Sequence, residues 1–164
     1  MMFEIRLATK NNMKQVHNLI NELAIFEKEP DAVEVTVEDL ITDGFGENPS
    51  FISFVAVEKE QVVGLALFYY RYSTWKGKTI HLEDLIVTES CRGKGIGKAL
   101  LTEVIQYGYN EGVKRIEWNV LDWNTPAIDF YKSNGAKVLR DWDVVQLSEE
   151  GIKNYINRLN HANF

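Results

Sequence analysis

The sequence predicts an α/β domain built on a mixed sheet, and three observations carry that expectation. Runs rich in β-branched and aromatic residues, Phe51 to Val57, Val62 to Tyr72 and Thr79 to Val87, follow one another across polar turns and read as an antiparallel meander. Segments with apolar residues at helical spacing lie before and after them. Beyond Val87 a strand runs into a glycine-rich loop and then a helix, a crossover that brings the next strand in parallel.

Taken in order, Phe3, Ile5 and Leu7 alternate as a short strand. Thr9 then caps a helix whose apolar face is Met13, Val16, Ile20, Leu23 and Ala24 and which ends near Glu29-Pro30. Thr36 caps a second, short helix that Gly44-Phe45-Gly46 stops. The three strands of the meander follow, with Glu58 to Gln61 as the first turn and Ser73 to Lys78 as the second. Ile96, Leu100, Val104 and Ile105 mark a helix closed by Gly112, and Ile116 to Leu121 reads as the next strand. Asn124-Thr125-Pro126 opens a helix with Ile128 and Tyr131 on its inner face, closed by Asn134-Gly135. Val138 to Leu147 should be a final strand, and Ser148-Glu149-Glu150 starts a terminal helix through Leu159. The predicted order is βααβββαβαβα, with helices on both faces of the sheet.

At 164 residues, without repeats, low-complexity tracts or a Pro/Gly/Ser-rich linker, the chain reads as one domain, 1–164. A formal net charge of −6 argues against a nucleic-acid surface and leans toward a cationic substrate. Cys91 is the sole cysteine, so an intrachain disulfide and a cysteine metal cluster are both excluded. With no apolar leader at the start and no window approaching the roughly 18 apolar residues of a span, a cytoplasmic protein without membrane contact is expected. His17, His81 and His161 lack metal-ligand spacing and read as ordinary surface or satisfied histidines, so no metal is expected.

The most informative segment runs from Leu85, Ile86 and Val87 through Arg92, Gly93, Lys94, Gly95, Ile96, Gly97 and Lys98. A glycine-rich loop at a helix N-terminus presents unpaired N–H groups and the positive end of the helix dipole, which suits a pyrophosphate. It is not a Walker loop, because Arg92 stands where the first glycine belongs and Ala99 where Ser or Thr would bind Mg²⁺. It is not the dinucleotide fingerprint either, since Lys98 occupies the last glycine position.

Arg92, Gly95 and Gly97 satisfy R-x-x-G-x-G, and with them the chain resembles the Gcn5-related N-acetyltransferase family. Glu22-Leu23-Ala24, Asp43-Gly44-Phe45-Gly46, Trp75-x-Gly77-Lys78, Leu82-Glu83-Asp84, Trp123-Asn124 and Phe130-Tyr131-Lys132 resemble, in order, its spermidine/spermine branch. Tyr72 to Gly77 and Val120 to Asn124 look closer still to the thialysine Nε-acetyltransferase members. The resemblance implies acetyl-CoA as co-substrate, held by Leu85 to Val87, Arg92 to Lys98, Asn124, Pro126, Ala127 and Tyr131. It also implies a small-molecule amine as acceptor and a homodimer paired through C-terminal strands and helices.

Aminolysis of a thioester needs an unprotonated amine and a proton donor for the departing thiolate. Tyr131, protonated at neutral pH, matches the family's general acid. Glu83 is the candidate for orienting the amine or deprotonating it through water, because a charge in the middle of an apolar strand needs a reason. Strict alternation puts Asp84 on the opposite face. Phe26, Glu27, Trp75, Glu83 and Asp84 form the expected amine-binding set, the first three by family match. Ser73 stands where polyamine-specific members carry an aspartate, and the loop after Gly135-Ala136 lacks their acidic pair, which favours thialysine-like or short amines over spermine. A protein lysine or N-terminal acetyltransferase and a non-catalytic acyl-CoA sensor are the competing readings.

Overall fold

The computed structural model describes residues 3–162. Five strands form one sheet in the order β1 (Glu4–Leu7), β2 (Ile52–Glu58), β3 (Gln61–Ser73), β4 (Gly77–Val87), β5 (Ile116–Glu117). The first four are antiparallel neighbours and β5 joins β4 in parallel, the mixed sheet that the hairpins and the crossover predict. The β2–β3 turn places Lys59 and Glu60 at positive φ, the backbone of a two-residue hairpin turn.

The helices are α1 (Met13–Phe26), α2 (Val37–Phe45), α3 (Ile96–Asn110), α4 (Thr125–Ser133) and α5 (Glu149–Ala162). The backbone N–H and hydroxyl of Thr9 both donate to Asn12 Oδ1, so the chain enters α1 through a short 3₁₀ turn. Thr36 accepts from Asp39 N–H while Asp39 accepts from Thr36 N–H, a reciprocal cap that starts α2. The Thr36 hydroxyl also donates to Asp39 Oδ2 at 2.7 Å, and this bond first, then that from Thr36 N–H, holds the Asp39 carboxyl below its ordinary range.

Alternation along β3 divides the core in two. Leu65 and Leu67 join Val55, Ile86, Met13, Val16, Leu19 and Leu40 in the cluster under α1 and α2. Phe68 faces the other way, stacked on Phe54 and edge-on to Tyr107 of α3. At Gly64 a methyl group would meet Leu100 at 2.9 Å and Ile96 at 3.2 Å, so a glycine there lets α3 lie close on the sheet.

The chain divides into two compact units, the first ending at Leu121 and the second beginning at Asp122. In the second, Asn124 caps α4 by accepting from Ala127 N–H at 3.3 Å, and Ser148 caps α5 by accepting from Gly151 N–H at 3.1 Å.

Two expectations need correction. The strand expected over Ile116 to Leu121 pairs only at Ile116 and Glu117. The final strand expected over Val138 to Leu147 does not form among the described residues. A strand exists by the ladder it shares with a neighbour, and this segment has none, so Leu139, Trp142, Val144, Val145 and Leu147 stand exposed, Val145 by 93%.

Candidate active site

β4 is the strand on which the site is built. Its pairing with β5 covers Ile80 and His81 alone, so from Leu82 to Val87 no strand lies along that edge among the described residues. On its other side, Leu67 pairs with Asp84 but Phe68 pairs with Leu82, which leaves Glu83 as the extra residue of a β-bulge. The bulge resets the alternation. Asp84 therefore shares the α1/α2 face with Leu67, and the expectation that it points away from Glu83 is overturned.

Glu83 is reached on that same face. Tyr69, whose register partner is His81, donates its hydroxyl to Glu83 Oε2 at 3.0 Å. His81 Nε2 lies 3.6 Å from the same oxygen. Burial, reinforced by the negative charges of Glu83 and Glu27, pushes the Asp84 carboxyl up to about 6. Burial also raises Glu27, which follows the last turn of α1. Glu83 of β4 and Glu27 after α1 thus both act on Asp84, and a carboxylate among like charges is where an ammonium group gains most. Tyr69 is raised as well, first by burial and then by its hydrogen bond to Glu83.

A basic group borders this acidic face. Arg71, two residues beyond Tyr69 on β3 and close enough to oppose the rise in its pKa, pairs with Glu117 Oε1 across β4. Arg115 Nε lies 2.8 Å from Glu117 Oε2, but its N–H is not aimed at that oxygen, so the contact is an ion pair rather than a hydrogen bond. Two guanidinium groups on one carboxylate leave the cluster formally positive.

After Val87 the chain is tied down before it reaches the glycines. Glu22 of α1 accepts from Thr88 Oγ1 at 2.8 Å and from Glu89 N–H at 2.9 Å. Arg92 folds back, its Nε donating to Val87 O at 3.0 Å and its guanidinium 5.4 Å from the Phe26 ring centre. Lys94 pairs with Glu58 at 3.4 Å. Gly93 and Gly95 have φ of 76° and 81°, and a methyl group on either would meet nothing within 4 Å. The first intrahelical bond of α3 runs from Ala99 N–H to Gly95 O, so the amides ahead of it are donors without a helical acceptor. Ile96 is buried in the core and can offer only its backbone, whereas Lys98 is exposed. An open cradle of amides beside an open strand edge fits the pyrophosphate and amide-bearing arm of coenzyme A.

Of the other expected residues, Asn124, Pro126, Ala127 and Tyr131 lie together on the first turns of α4, and Tyr131 is half-buried beside Phe130. Trp75 is not brought to Glu83. It sits 83% exposed in the β3–β4 turn, before Gly77, and the seven residues from Gly77 to Glu83 span roughly 20 Å of strand. His17 bonds Val35 O at 2.8 Å, as an ordinary structural histidine does. His81 departs from that reading, being buried with Nδ1 lacking a hydrogen-bond partner among the described residues. His161 has its side chain outside the described residues. Sequence reasoning also missed Tyr69, Arg71 and the anchoring roles of Glu22 and Glu58, which depend on partners 14 to 67 positions away.

Residues 13–136 match the family model described as the acetyltransferase (GNAT) family. The chain belongs to this family. The acetyltransferase is 37% identical over 160 residues to a thialysine N-epsilon-acetyltransferase of Bos taurus, covering 91% of this chain and 94% of the relative. It is 28% identical to the L-ornithine N5-acetyltransferase NATA1 of Arabidopsis thaliana, with 98% and 90% covered. Among solved structures, the aminoglycoside N-acetyltransferase AAC(6')-Iy in complex with CoA shares the fold at a TM-score of 0.71 and 19% identity, over 88% of this chain and 93% of that one. The protein is thus an N-acetyltransferase with acetyl-CoA as co-substrate. No group of three metal-ligating side chains occurs among the described residues, and no helix there is long and apolar enough to cross a membrane.

Proposed function

We propose that this acetyltransferase acts on the primary amine of a small acceptor bearing a carboxylate, of the thialysine, lysine or ornithine type. The observation that carries the reading is the β4 bulge, which sets Glu83 and Asp84 on one face with Glu27 in electrostatic reach. That face suits the ammonium end of the acceptor. The positive Arg71–Glu117–Arg115 cluster farther along it suits an α-carboxylate and disfavours a long polycation. The names of the bovine and plant relatives point the same way.

Acetyl-CoA supplies an acetyl group activated as a thioester. Arg92 to Lys98 hold its pyrophosphate through backbone N–H groups and the open edge of Leu85 to Val87 pairs with its arm, and the family resemblance assigns Asn124, Pro126 and Ala127 to coenzyme binding as well. Glu83 accepts the proton that the acceptor ammonium must lose before its nitrogen can attack, directly or through water. Tyr131 holds the proton that the sulfur takes as the C–S bond breaks. The family match, running to residue 136, continues past the end of the first compact unit and supports the reading of one catalytic domain.

The same reading includes a homodimer. Leu139, Trp142, Val144, Val145 and Leu147, followed by the half-exposed Ile152, Tyr155, Ile156 and Leu159, form an apolar stretch that a second copy would cover. A panel of thialysine, lysine, ornithine, putrescine, spermidine and a lysine peptide, read by thiol release from acetyl-CoA, tests the assignment. Turnover led by putrescine or the peptide would sink the carboxylate-bearing acceptor.

A further inference from the structure

Behind Glu83 lies a histidine that the reaction as described does not use. His81 is 8% exposed, and its ring sits 5.3 Å from that of Tyr69, its partner across the β3–β4 ladder. Its Nε2 approaches Glu83 Oε2 to 3.6 Å, and Nδ1 is buried with no hydrogen-bond partner among the described residues.

These contacts favour one tautomer. With the proton on Nδ1, a buried N–H would be orphaned and a lone pair on Nε2 would lie toward a carboxylate oxygen. With the proton on Nε2, an N–H group lies toward the carboxylate and only an acceptor lone pair goes unsatisfied, the less costly of the two. At 3.6 Å the Nε2–H is an oriented dipole rather than a full hydrogen bond, whereas the Tyr69 hydroxyl makes one at 3.0 Å. Both act on the same oxygen of the bulge residue, leaving Oε1 outside the clamp.

We infer that His81 is a positioning residue, acting with Tyr69 to fix the Glu83 carboxylate through Oε2 so that Oε1 meets the acceptor amine. The inference rests on Glu83 as the proton acceptor. An exposed glutamate on a bulge has several rotamers of similar energy, and two donors converging on one oxygen select among them. The bulge aims the residue, and Tyr69 and His81 lock the side chain.

A double-mutant cycle tests it, with kcat measured on whichever of thialysine, ornithine or putrescine turns over fastest. His81→Leu is expected to lower kcat about tenfold in the wild-type background and less than about twofold in Glu83→Gln, with KM for acetyl-CoA unchanged in both. His81→Gln, which keeps an N–H donor, should restore most of the loss. Equal losses in the two backgrounds, or no loss in either, would overturn the positioning role while leaving Glu83 in place. Wild-type kcat in Glu83→Gln alone would instead remove the base itself, and this inference with it. If His81→Leu fails to show a CoA-dependent rise in Tm and so has not folded, Tyr69→Phe in the same cycle decides, because it deletes only the hydroxyl on Oε2.

Discussion

Glu22 and Thr88, 66 positions apart in the chain, are joined by a 2.8 Å hydrogen bond that fastens the end of β4 to α1. The second oxygen of Glu22 accepts from Glu89 N–H, so one carboxylate sets the direction in which the chain leaves the sheet for the glycine-rich loop. Glu22→Ala removes both bonds, at about 1 kcal/mol each or less for such part-exposed groups. CoA should bind severalfold more weakly, with KM for the amine little altered. Isothermal titration with CoA checks this, and unchanged affinity would detach the anchor from the site.

Gly95 and Gly97 should part company. Gly95 has φ of 81° at the start of α3, so Gly95→Ala forces a side chain into the left-handed region at about 1 kcal/mol or more. Gly97 has an ordinary φ, and its added methyl would touch Val87 at 3.7 Å, a normal contact. Gly97→Ala should therefore keep the unliganded Tm and lose CoA affinity alone, through closer crowding of the phosphates. Thermal melts with and without CoA separate the two effects.

The raised Asp84 carboxyl makes stability depend on pH in a stated direction. A carboxyl whose pKa rises on folding holds its proton more tightly in the folded state, so stability is greatest below 3.8 and falls as pH climbs to about 6. The loss is on the order of 2–3 kcal/mol. Asp84→Asn should raise Tm near pH 8 and change it little near pH 4. A bound ammonium favours the ionised form, so KM for the acceptor should fall as pH rises through about 6 in the wild type. In Asp84→Asn that dependence should flatten.

Tyr131→Phe keeps the ring and deletes the proposed acid. Its kcat should drop roughly 10²-fold, the scale on which general acids act, with CoA affinity little altered. Glu83→Gln should be most defective at low pH and recover as the free amine becomes abundant. Single-turnover measurements, which bypass product release, decide whether Tyr131 belongs to the chemistry; near wild-type rates would assign the proton to solvent.

Much of this was legible in the sequence because it is local. The Thr36 cap, the meander and the glycine loop each depend on residues within a few positions of one another, and each forms where periodicity puts it. Glu83 was marked by its charge in an apolar run. The face on which Asp84 lies was not legible, because a bulge is a property of a pair of strands and Leu82-Glu83-Asp84 alone reads as plain alternation. His81 was hidden for a related reason: its histidine looks the same on paper whether exposed or buried, and its partner Tyr69 is set by register. Val138 to Leu147 has the composition of a strand, yet composition does not supply a neighbour.

Because β5 leaves β4 after His81, the strand keeps one flank of N–H and C=O groups turned toward whatever arrives. Such a flank is a template for another chain as readily as for a ligand, and the Leu85-Ile86-Val87 run beside it is the composition that aggregating segments favour. On the proposed reading, CoA seated there would act as a molecular guard strand. Purified without it, the enzyme should lose solubility on gentle warming faster than its melting temperature alone would suggest, and coenzyme in the buffer should preserve it.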